Sequence, residues 1–279
     1  MSRNSVKYAL FIVLGYNAAL GIVFGVLCSE SGKFDAETFR ICMSGFNGVG
    51  AAILLVYLAV NYFRNREAMA IYKQKGICDE YAAALSKRYS KLSNLQLVNL
   101  ANVYMALERF NEAERVLNSM PGEALLHGPV KLWYYKSYIW LYLCTGRYQQ
   151  ALDIFDASRD RLEKFFGSEG ASASSFYDDA AICMAIRRDF AAADAYRNRS
   201  VQATANYPNR AYNPYMIMAE LFMIDGNEAE AMRAADSARQ AVFSCVSFKY
   251  PWERDDSLRR IDMGLALARK IRADLYGGR

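Results

Sequence analysis

The stretch LVNLANVYMALERFNEAERVL, residues 97–117, decides the fold. Leu100, Ala101 and Tyr104 share one face of a helix, because side chains three and four residues apart are neighbours there. Phe110 and Ala113 follow a turn, and Leu117 comes four residues after Ala113. A small residue in the first helix lets the second cross closely, and the aromatics fill the wedge between them. The segment therefore predicts two antiparallel helices with one shared apolar seam.

The pattern returns three times. In YKSYIWLYLCTGRYQQALDIF, residues 135–155, it is carried by Tyr138, Tyr142, Gly146, Tyr148, Ala151 and Phe155. Further on it is carried by Tyr177, Ala181, Met184, Phe190 and Ala193, then by Tyr215, Ala219, Phe222, Gly226 and Ala231. The frame markers Phe110, Tyr148, Phe190 and Glu228 lie 38, 42 and 38 residues apart. No such unit buries its apolar face alone, so neighbours must stack.

This frame resembles the tetratricopeptide repeat (TPR) family over residues 95–240, as four degenerate repeats. The family period is about 34 residues, so the linkers here are longer. Ile139 stands where the family has a small residue, and Glu228 replaces the turn aromatic. The resemblance implies an α-solenoid whose first helices form a concave face that binds peptides or proteins. Carried onto this chain, that face comprises Asn102, Met105, Trp133, Lys136, Trp140, Asp178, Met216, Glu220 and Met223. Trp133 and Trp140 are seven residues apart and share a side, with Lys136 between them. Two readings stay open for them: exposed binding hot spots, or side chains covered by the neighbouring repeat. The family's clamp for a C-terminal carboxylate needs a set of Lys, Asn and Arg residues of which only Asn102 is matched, so that ligand is not implied.

Outward from the array, residues 67–94 read as capping helices with Gly76 near a bend. Residues 242–256 read as a connecting loop, and 257–276 as an amphipathic C-terminal cap, so that linker and cap occupy 241–279. Toward the N-terminus, residues 8–28 and 46–63 contain no charged side chain. The first run spans about 30 Å as a helix, the thickness of a bilayer core. Residues 1–66 are therefore expected to form a two-helix transmembrane hairpin. Arg3 and Lys7 before it, and Arg64, Arg66, Lys73 and Lys75 after it, place both termini on the cytoplasmic side. Gly21, Gly25, Gly48 and Ala52 form small-residue faces, for packing within the hairpin or for homodimerisation.

Composition narrows the functional classes. The formal net charge of +5 comes from 34 basic and 29 acidic residues in mixed order, without the clustered basic face that nucleic acid requires. Six scattered cysteines and one histidine, His127, do not make a metal site, and the cysteines read as buried free thiols. The pairs Asp178–Asp179 and Asp255–Asp256 read as solvated or capping carboxylates, because adjacent residues on a helix point apart. No phosphate-binding glycine loop or nucleophile elbow is present. The expectation is thus all-α: a transmembrane hairpin followed by a TPR-like α-solenoid. It is a multi-pass membrane-anchored, non-enzymatic interaction scaffold, with no cofactor and no metal, whose partners are the lipid bilayer and a protein or peptide. The alternative is a non-catalytic subunit of a membrane assembly held through its hairpin.

Overall fold

The computed structural model describes residues 66–87, 92–122, 125–167 and 171–277. The chain divides into two units, Met1–Glu67 and Ala68–Arg279. All regular structure among the described residues is helical, so the fold class is all-α.

The multi-pass membrane reading is corrected. No helix among the described residues is long and apolar enough to cross a membrane. Long helices here carry charge along their length, as in WERDDSLRRIDMGLALARKIRADLY. The runs 8–28 and 46–63, with Gly21, Gly25, Gly48 and Ala52, lie outside the described residues.

Within the second unit, residues 68–75 are helical and precede α1 (Asp79–Ser86). Four helix pairs follow: α2 (Asn94–Ala106) with α3 (Phe110–Asn118), α4 (Gly128–Cys144) with α5 (Tyr148–Phe166), α6 (Ala171–Ile186) with α7 (Phe190–Thr204), and α8 (Asn213–Asp225) with α9 (Glu228–Ser244). The last helix is α10 (Trp252–Tyr276). Each later pair packs its first helix on the pair before it. Local chemistry starts the helices. Ser93 and Gln96 form a reciprocal capping box at α2, and Asp189 and Asn227 cap α7 and α9.

The four frame markers are each the first residue of the second helix in a pair. One turn is repeated between them. Arg109, Arg147, Asp189 and Asn227 donate their backbone N–H to the carbonyls of Tyr104, Tyr142, Met184 and Phe222, at 2.8–3.0 Å. These are six-to-one Schellman closures, and the residue before each donor has positive φ: Glu108, Gly146, Arg188 and Gly226. Two of those positions hold residues with a Cβ, which costs about 1 kcal/mol in the left-handed region. Glu108→Gly is expected to raise stability by up to about 1 kcal/mol in urea unfolding. Arg188→Gly gains less, because Arg188 lies 3.9 Å over the Tyr276 ring and that contact is lost.

Beyond the turns, the seams close on alanine. Ala101, Ala113, Ala151, Ala181, Ala193, Ala219 and Ala231 are fully buried. Ile139 fills the corresponding place in the second pair and is buried as well. Arginines at the turns link neighbours: Arg147 forks onto Glu114 at 2.6 and 3.0 Å, and Arg187 pairs with Asp156.

The C-terminal helix departs from the expected cap. It begins five residues earlier than expected, at Trp252, and α9 runs on to Ser244. Its apolar side, Ile261, Leu265, Leu267, Ala268 and Ile271, is buried against α8 and α9. Its polar groups reach carbonyls that end three first helices. Arg259 donates to Ala106, Lys270 to Cys144 at 3.0 Å, and Tyr276 to Ile186. Helix C-termini leave such carbonyls unpaired and carry partial negative charge, so cationic donors suit them. At its start, Trp252 packs edge-on against Tyr72, 4.9 Å between centroids. The helix therefore runs the length of the array instead of closing one end.

Candidate binding cavity

The first helices α2, α4, α6 and α8 share a side that α10 partly covers. Between them lies a cavity of about 400 Å³. Eight of the nine residues assigned to the concave face line it: Asn102, Met105, Trp133, Lys136, Trp140, Asp178, Met216 and Glu220. Met223 does not. It is 1% exposed and belongs to the apolar core.

The two tryptophans are half-buried and combine both readings. Each packs against the apolar core while also bordering the cavity. Trp133 meets Phe166 edge-on at 4.7 Å. Between them Lys136 is held by Asp179 at 2.9 Å and donates to Ser175 at 2.9 Å.

The floor is polar and deeply buried. Asn213 donates to Ser174 at 3.0 Å, Ser174 pairs with Ser200 at 2.8 Å, and Ser200 donates to Asp178 at 2.7 Å. Burial pushes the Asp178 carboxyl up to about 7, against the Ser200 hydrogen bond and with the Asp179 charge adding to the rise. Burial also raises Asp179, opposed by Lys136. Glu220 is 3% exposed and has no hydrogen-bond or ion-pair partner among the described residues. Burial lifts it to about 8, with Asp178 and Asp179 adding repulsion. Its carboxylate lies over Gly264 of α10, where a Cβ would come within 1.9 Å of Glu220 Oε1. A larger residue at 264 would force the Glu220 side chain to move.

On the α10 wall the charges are satisfied locally. Asp256 takes Arg259 at 2.7 Å and Arg260 at 2.8 Å. Burial alone would raise Asp256, but the two arginines outweigh it and hold the carboxyl low.

Asp179, Asn213, Arg210, Arg259, Arg260 and Met263 also line the cavity, and sequence reasoning did not place them there. The signal for Asp179 was present as a doubled aspartate ahead of the apolar run AAICMAI. Assigning such pairs to a solvated face is corrected here: α6 is packed on several sides, and Asp179 is buried while Asp178 is half-buried, both lining the cavity. The second pair divides, with Asp256 inward and Asp255 exposed. Nothing in the frame signals Arg259 or Arg260, which arrive on a helix outside the repeats. His127 is an exposed residue ahead of α4 and takes no part.

No protein-family model matches the chain, and no curated protein or solved structure does either.

Proposed function

We propose that this protein is a TPR-like interaction module, non-enzymatic and working without a cofactor, that binds a short peptide segment of a protein partner in the concave cavity. One observation carries the reading. Side chains from four successive first helices converge on a single concave space, with half-buried tryptophans at its border. Aromatic side chains that are partly packed and partly free are suited to anchoring a ligand, since they lose little freedom on binding. A volume of about 400 Å³ suits one or two anchoring residues better than a long extended strand. The passage of α10 across the array explains that restriction.

Selection of peptides from a random library on the full chain tests the proposal. Selected peptides should lose about 30-fold or more in affinity on Trp140→Ala, the scale of a binding hot spot. Peptides whose affinity is unchanged by both Trp140→Ala and Trp133→Ala, in variants with unaltered thermal unfolding, would show that binding lies elsewhere.

A further inference from the structure

The cavity has acceptors to spare, and its donors are mostly engaged. Lys136 is held by Asp179 and Ser175. Arg259 and Arg260 are held by Asp256, and Arg259 also reaches the Ala106 carbonyl. Arg210 contacts the Tyr212 hydroxyl at 3.4 Å and attracts Asp178. Asp179 Oδ2 meets Lys136 as an ion pair at 2.9 Å but accepts no hydrogen bond, and two further acceptors are left over. Asn213 spends its amide N–H on Ser174, and its Oδ1 is buried without a partner. Glu220 is nine-tenths buried, lines the cavity, and is acted on by carboxylates with no opposing cation. Buried carboxylates are normally paired, and one that is not marks a place where a donor is missing.

Tryptophan faces supply the second half of a cation site, because the ring quadrupole attracts an ammonium or guanidinium within about 6 Å. Trp133 and Trp140 border the same space as Glu220. Resting on the peptide-binding reading above, we propose that the cavity receives a cationic side chain, the lysine ammonium or arginine guanidinium of a bound peptide, with Glu220 as counter-ion, Asn213 as a further acceptor, and Trp133 and Trp140 as walls.

The proposal has a proton signature. An empty Glu220 holds its proton near neutral pH, and an arriving cation favours the ionised form, so binding releases a proton. Asp178 and Asp179 on α6 are the charges that act on Glu220, and its own charge acts on Cys144 at the end of α4. Lys136 on α4, Arg210 and Tyr212 before α8, and Arg259 and Arg260 on α10 line the same cavity, with Asp256 pairing the last two. Glu220 and Asp178 are the carboxyls that burial raises into the neutral range, so the release is drawn from these two.

The test uses the full chain and four peptides: acetyl-Ala-Lys-Ala-amide, its arginine, norleucine and glutamate counterparts. Isothermal titration in phosphate and in Tris at pH 7 gives affinity and proton release together. The expected result is that a basic peptide binds at least about tenfold more tightly than norleucine, with proton release. Glu220→Gln, which keeps shape and fold, should remove the preference and the Glu220 share of the release. Norleucine binding as well as lysine would overturn the cationic inference and leave the peptide site standing. Glutamate binding best would do the same. No peptide binding at all would remove both readings. Butylammonium binding as tightly as the lysine peptide would overturn the peptide as the source of the cation.

Discussion

A chain ended at residue 250 is expected to lose cooperative folding throughout the array, not only at its last pair. The removed helix buries Ile261, Leu265, Leu267, Ala268 and Ile271. At about 1.5–3 kcal/mol for each large apolar side chain, their loss is comparable to the whole stability of a domain, about 5–15 kcal/mol. It also frees the carbonyls of Ala106 and Cys144 and the Tyr148 hydroxyl, which Asp274 accepts at 2.8 Å. These contacts cross 126–153 residues of sequence, so the effect reaches α2 and α4. Circular dichroism and hydrogen exchange decide the matter. A terminal cap would leave the amides of α2–α5 protected in the truncated chain. A helix that fastens the length of the array would leave them exchanging freely.

Glu220→Gln is expected to stabilise the empty protein by about 2–4 kcal/mol at pH 8.5 and by little at pH 5. The sign follows from a raised carboxyl. Folded, Glu220 titrates near 8, against an ordinary value of 4.5. The folded state thus holds a proton that the unfolded state releases between those values. Stability from that proton is complete below about pH 4.5 and is lost as pH rises through 8. Asp178, folded value about 7, adds a loss of the same sign over a narrower window. Asp256 runs the other way, since its lowered carboxyl loses stability only in acid. Urea midpoints at pH 5, 7 and 8.5 should therefore fall for the wild type and fall less for the variant. A wild-type midpoint that rises over that range would contradict the buried, unpartnered state of Glu220.

How far the molecule is legible in its sequence differs by element. Phe110, Tyr148, Phe190 and Glu228 stand at helix starts because local rules operate there. A turn that must reverse the chain in three residues, followed by an amphipathic run, has few alternatives. The concave residues were readable for a related reason: once the repeat frame is set, helical geometry fixes which positions share a side. Met223 is the exception, since it shares that side in the repeat frame but is buried in the apolar core. The route of α10 was not legible. The amphipathic pattern of 257–276 says that one face is buried, but not against which helices. Asp179 and Arg259 depend on that route, since their setting is made by elements far away in sequence. The two uncharged N-terminal runs carry the opposite lesson. Hydropathy there raised a membrane expectation, but the runs lie outside the described residues, and no described helix is long and apolar enough to cross a membrane.

Methionine methyl resonances of the full chain, recorded while a library-selected peptide is added, test the central claim most directly. Met105, Met216 and Met263 line the cavity, whereas Met69 and Met232 are exposed outside it. Shifts confined to the first three, saturating with the peptide, are the predicted result. Shifts at Met232 or Met69 with the cavity methyls unmoved would contradict binding in the concave cavity.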